Sequence, residues 1–110
     1  MAHDRPIVKV EGGRISVAPE PLKFERNRGT VVIIWRLDDS AAGFTFVDTV
    51  GIKIDNDQRR EFDEQRVIAG GRQFQVRNKN SFPKQYKYTI NLRAPDGRTV
   101  SLDPIIVNME

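Results

Sequence analysis

The chain has 110 residues, 38% of them apolar and 30% charged, with no cysteine, one histidine and a net charge of +3. That length suits one domain, residues 1–110, with a core large enough to need no disulfide or metal staple. The missing cysteine excludes thiolate chemistry, and no run approaches the roughly 20 apolar residues of a membrane-spanning helix.

The opening residues, MAHDRPIVKV, carry charges and no apolar run of the secretory kind, so the expected location is the cytoplasm, with no membrane partner. Further on, RISVAP alternates and turns Ile15 and Val17 to one side. In KFERNRGTVVIIWRL, Val31, Ile33, Trp35 and Leu37 share one face, and Val32, Ile34 and Arg36 share the other. Both faces stay apolar until Arg36, the pattern of a strand buried in mid-sandwich. Trp35, in phase with its aliphatic neighbours, reads as the anchor of the core. Val50, Ile52 and Ile54 follow in TVGIKI. DNDQRREFDEQRV is the one helix candidate, but it lacks an apolar stripe and reads as a charged loop. RQFQVRN turns Phe74 and Val76 inward, and YKYTINLRA does the same with Tyr86, Tyr88, Ile90 and Leu92. TVSLDPIIVN puts Val100 and Leu102 inward, then Ile105 and Val107, a change of phase that predicts a bulge or an edge at Pro104. Turn signals separate these runs, the best being Pro95, Asp96 and Gly97 between two alternating strands. The expected fold is all-β: a single antiparallel Greek-key β-sandwich of seven to eight strands, cupredoxin-like or immunoglobulin-like.

Two stretches resemble the cupredoxin pattern. Gly29, Thr30, Val31, Trp35, Asp38 and Asp39 follow its first strand and turn, and Tyr86 and Tyr88 match its Tyr-x-Tyr near the C-terminus. The resemblance implies the fold without the metal. Gly43 or Phe44 stands where the first histidine ligand belongs, Ile90 at the cysteine and Arg93 at the second histidine. A type 1 copper site needs two imidazoles and a thiolate, and this chain offers only His3. A second resemblance covers nearly the whole chain. APEPLKF, with Glu20 and Pro21, and SLDPIIVN, with Asp103 and Pro104, are similar to the DP-EP family of small bacterial proteins. It contributes no catalytic residue. Read from the residues alone, Pro19 and Pro21 fix an extended kink around Glu20, and Asp103 bonds local backbone N–H groups beside Pro104.

No constellation points to an enzyme, a cofactor or a metal. His3 lies on a terminus expected to fray, so it makes a poor triad member or zinc ligand. Asp63 and Glu64 are adjacent, and neighbours on a regular strand face opposite ways. Asp38, Asp39, Asp55 and Asp57 form a loose calcium site only if their loops meet. Charge is uneven: residues 69–98 carry seven Lys/Arg and one Asp/Glu. Arg72, Arg77, Lys87 and Arg93 are therefore the candidate binding residues, with Phe82, Tyr86 and the loop at 78–81 beside them. The expected function is non-enzymatic: a protein-interaction or small-ligand-binding module with an unknown protein partner, or a homodimer paired through a sheet edge. The alternative is a single-stranded nucleic-acid binder of the OB type, but tyrosines in phase with Ile90 and Leu92 belong to a core rather than a stacking platform.

Overall fold

A computed structural model describes residues 3–110. Among these, the strands are β1 (Ile7–Glu11), β2 (Arg14–Ala18), β3 (Leu22–Phe24), β4 (Val31–Leu37), β5 (Thr45–Phe46) and β6 (Ile52–Ile54), followed by β7 (Phe62–Ile68), β8 (Gln73–Asn78), β9 (Lys84–Arg93), β10 (Thr99–Leu102) and β11 (Ile105–Asn108). They form two sheets packed as a sandwich. The first runs β2-β1-β4-β8-β7, and the second β10-β9-β11-β3, with β5 and β6 on the other side of β9. Eleven strands replace the seven to eight expected because the short pieces β5, β6, β10 and β11 share one long partner, β9. Most pairs are antiparallel, but β1 with β4 and β3 with β11 are parallel.

Local sequence explains most boundaries. Gly12 and Gly13 both have positive φ, at 58° and 77°, which suits a two-residue hairpin and makes β1 and β2 pair from Glu11 and Arg14 outward. The turn at residues 95–97 joins β9 to β10 as expected, with Gly97 N–H on the Ala94 carbonyl. Gly51 sits where the layers nearly touch. A Cβ there would lie 2.8 Å from the Phe74 ring, so only glycine fits.

Three expectations are corrected. The charged stretch at 55–67 is not a loop throughout, since its second half forms β7 at the edge of the first sheet. A register shift between Asp63 and Arg66 breaks its alternation, and between Phe62 and Val67 every residue is polar. Val50 is 44% exposed and does not point inward with Ile52. At Pro104 there is no bulge and no change of phase, while the edge alternative holds, since β10 ends the second sheet's order. β10 and β11 keep one register against β9, so Ile106 and Asn108 are buried, while Ile105 and Val107 are only half-buried. Tyr88 N–H still donates to the Pro104 carbonyl at 3.0 Å, so the ladder loses only the donor that proline lacks.

The interior is aromatic, and its ring pairs span the layers. Trp35 of β4 meets Tyr88 of β9 at 5.4 Å, Phe74 of β8 meets Phe46 of β5 at 5.8 Å, and Phe62 of β7 meets Tyr86 of β9 edge-on at 4.9 Å. The indole N–H of Trp35 donates to the Tyr88 hydroxyl at 3.2 Å. At one end, Asn78 of β8 and Asn108 of β11 exchange amide hydrogen bonds of 2.8 and 3.1 Å, closing the sandwich with a buried polar clasp.

Both tyrosines of the chain are buried. Desolvation raises the pKa of Tyr86 and drives that of Tyr88 far above the ordinary phenol value. A folded-state pKa raised in this way leaves stability whole below about pH 10, where an unfolded tyrosine ionises, and erodes it as pH climbs further. In an alkaline titration, phenolate absorbance is therefore expected to appear together with the loss of β-sheet circular dichroism. Ionisation of either tyrosine while the sheet signal is intact contradicts the buried placement.

Candidate functional site

The four candidate cations do not form one surface. Arg72 and Arg77 belong to the first sheet's side of the sandwich, and Lys87 and Arg93 stand on the outer face of the second. Arg72 does an internal job. Its guanidinium donates to the carbonyls of Ala41 (2.6 Å), Phe44 (2.8 Å) and Asp38 (3.0 Å), closing the loop after β4. Arg77 is neutralised in place. It grips Asp63 with two bonds, 2.7 and 2.6 Å, and reaches Glu64 at 3.1 Å. The irregularity in β7, with Glu64 at φ 52°, brings both adjacent carboxylates to the same guanidinium, contrary to the expectation for a regular strand. Arg77's hydrogen bonds hold the Asp63 carboxyl below its ordinary pKa.

Lys87 and Arg93 have different company. The outward row of β9 is Gln85, Lys87, Thr89, Asn91 and Arg93. Beside it the same face carries Lys53 of β6, opposite Thr89, and Lys23 of β3, opposite Val107. Lys23, Lys53, Lys87 and Arg93 are all exposed, and among the described residues none lies within ion-pair distance of a carboxylate. The carboxylate of Asp103, on the same face, accepts from the Thr89 hydroxyl at 2.8 Å. Sequence reasoning missed Lys23 and Lys53 because only sheet register brings them beside β9. Tyr86 faces inward and takes no part, and Phe82, still 36% exposed, has the Arg59 guanidinium 4.0 Å from its ring centre.

The other singled-out residues have structural partners. Glu20 and Asp103-Pro104 meet across the open seam between β2 and β10. Glu20 Oε1 accepts from Ile105 N–H at 3.0 Å, just past the proline, and so continues the edge until β3 takes over as partner of β11. Asp103 does not bond local backbone, as expected, but bonds Thr89 across the sheet. His3 is not loose either, since its Nδ1 accepts from Lys23 N–H at 2.9 Å and covers part of the β3 edge.

The acidic loops do not meet. Asp38 caps Ser40 N–H near the start of β8, where hydrogen bonds from Ser40 lower its pKa. Asp57 accepts from Glu61 N–H and Phe62 N–H near the other end, opposite Asn78. Ile90, at the cysteine position of the cupredoxin pattern, is fully buried, while Arg93 is exposed at the end of β9. Glu61 went unnoticed in the sequence. It is 3% exposed, and both its oxygens accept from Ser81.

A scan against protein-family models finds no match, and a search of curated proteins finds none either. Among the described residues no helix is long and apolar enough to cross a membrane.

Arg72→Ala strands three carbonyls that now share one charged donor group, and is expected to cost about 2 kcal/mol in urea unfolding. Arg72→Lys is expected to recover little of it, because a point charge cannot fork between separate acceptors. Unchanged stability in Arg72→Ala contradicts the latch.

Proposed function

We propose that this chain is a non-enzymatic interaction module that presents the outer face of its second sheet to an acidic protein partner. One observation carries the reading: Lys23, Lys53, Lys87 and Arg93 share a face that leaves them without counter-charges among the described residues. Cations that serve an internal purpose, such as Arg72 and Arg77, are already matched by carbonyls or carboxylates. The unmatched four are free to supply complementarity and steer an oppositely charged partner. Polar Thr89, Asn91 and Ser101 between them give a flat floor with hydrogen-bonding capacity.

The same face argues against the nucleic-acid reading, because it offers no aromatic side chain on which a base could stack. It is also the reason to favour a face over an edge for partner binding. Among the edges, β7 is charged and irregular, and β3 is three residues long with His3 bonded to it, devices that discourage strand pairing. We also propose kinship with the DP-EP family. The Glu20 bond to Ile105 N–H gives its two dipeptides one shared task, holding the seam where β10 passes into β11. Within that reading the chain is a cupredoxin-like scaffold whose ligand positions have gone to core and surface.

The test is capture of partners from native extract by the full chain and by the variant Lys23→Glu, Lys53→Glu, Lys87→Glu, Arg93→Glu. The partner is expected to be lost with the variant, with its thermal midpoint unchanged, and to weaken as salt rises. Retention of the same partner contradicts the proposal, and binding of single-stranded oligonucleotide at low salt replaces it with the nucleic-acid reading.

A further inference from the structure

β4 carries more apolar surface than the sandwich requires. Its inward row is buried, yet Val32 and Ile34 lie on the outer face of the first sheet, where no third layer covers them, and Val32 is 40% exposed. The sequence pattern predicted a strand buried on both sides, and the outer side is open. Ile7 of β1 adds to the same face, in register with Arg36. Ahead of β1, the chain continues along β4. Ile34 N–H donates to the Asp4 carbonyl and Arg36 N–H to the Pro6 carbonyl, both at 3.1 Å. This lays Arg5 across the face, where its Nη1 donates to the carbonyls of Asp4 (2.8 Å) and Val32 (3.2 Å). Arg36 rises from β4, with no carboxylate in ion-pair range among the described residues, beside Gln73 of β8. Arg5, Ile7, Ile34, Arg36 and Gln73 line a depression of about 300 Å³.

We infer that this depression binds a small amphipathic anion, its carboxylate between the guanidiniums of Arg5 and Arg36 and its apolar body on Ile7 and Ile34. Both guanidiniums border an apolar floor, and their planar donor sets match a carboxylate. Arg5 is already held by backbone carbonyls, which lowers the ordering cost of binding. The Asp4 carboxylate, 3.7 Å from Arg5, is shared with Arg28 at 3.5 Å and does not line the depression. The volume lies at the small end of ligand pockets and fits a small molecule better than a peptide strand. The site is on the opposite sheet from the basic face, so it stands or falls independently of the proposed protein partner.

The test is an NMR titration of the 15N-labelled full chain with octanoate, 1-octanol and inorganic phosphate. Octanoate is expected to give saturable shifts at the amides of Ile7, Ile34, Arg36 and Gln73, with octanol and phosphate each bound at least about tenfold more weakly. Arg36→Gln is expected to weaken octanoate by about tenfold while leaving the thermal midpoint in place. The proposal is overturned by scattered or absent shifts, by octanol or phosphate binding as tightly as octanoate, or by unchanged octanoate affinity in Arg36→Gln.

Discussion

Contact between Trp35 and Tyr88 is the constraint on which the rest of the structure depends. Trp35 of β4 and Tyr88 of β9, both fully buried, meet across the layers, and the Tyr88 oxygen gives the indole N–H its acceptor. A buried indole N–H without an acceptor, or a buried hydroxyl without a donor, costs about 1–3 kcal/mol, so the pair sets both the spacing and the relative slide of the sheets. The ring contacts Phe46–Phe74 and Phe62–Tyr86 lie to either side without a hydrogen bond, and the Asn78–Asn108 clasp ends the row. The sandwich is joined through its middle, and its outer faces carry only local contacts such as Arg77–Asp63 and Thr89–Asp103.

That division separates the residues committed to packing from those open to solvent. A residue pointing inward is fixed by packing, as Ile90 is in the middle of β9. Outward residues answer to solvent and partners. On the first sheet, carboxylates already neutralise Arg77, and what remains is an apolar strip with Arg5 and Arg36 at its margins. On the second, four cations stand unmatched among the described residues. The two faces therefore present different chemistry from one scaffold.

Much of the fold was legible in the sequence because alternation reports burial directly. Val31 to Leu37 and Tyr86 to Leu92 place every inward residue correctly. What escaped was information carried by pairing rather than periodicity. β7 reads as a loop because an irregularity at Glu64 breaks its alternation, and its charges serve as edge protection. The phase across Pro104 was misread because Ile105, Ile106 and Val107 are all apolar, and only the register against β9 selects Ile106. For the candidate site, charge density in residues 69–98 pointed to β9, but could not separate Arg72 and Arg77, which have partners inside the fold, from Lys87 and Arg93. Lys23 and Lys53 join them only through long-range pairing, which local sequence does not encode.

The most direct test of the central joint is amide-by-amide hydrogen exchange. With the sheets locked through Trp35 and Tyr88, the slowest amides are expected in β4, β8 and the middle of β9, while β2, β5 and β7 open earlier. Slowest exchange in the edge strands, with Trp35 and Tyr88 among the fast amides, would contradict the account.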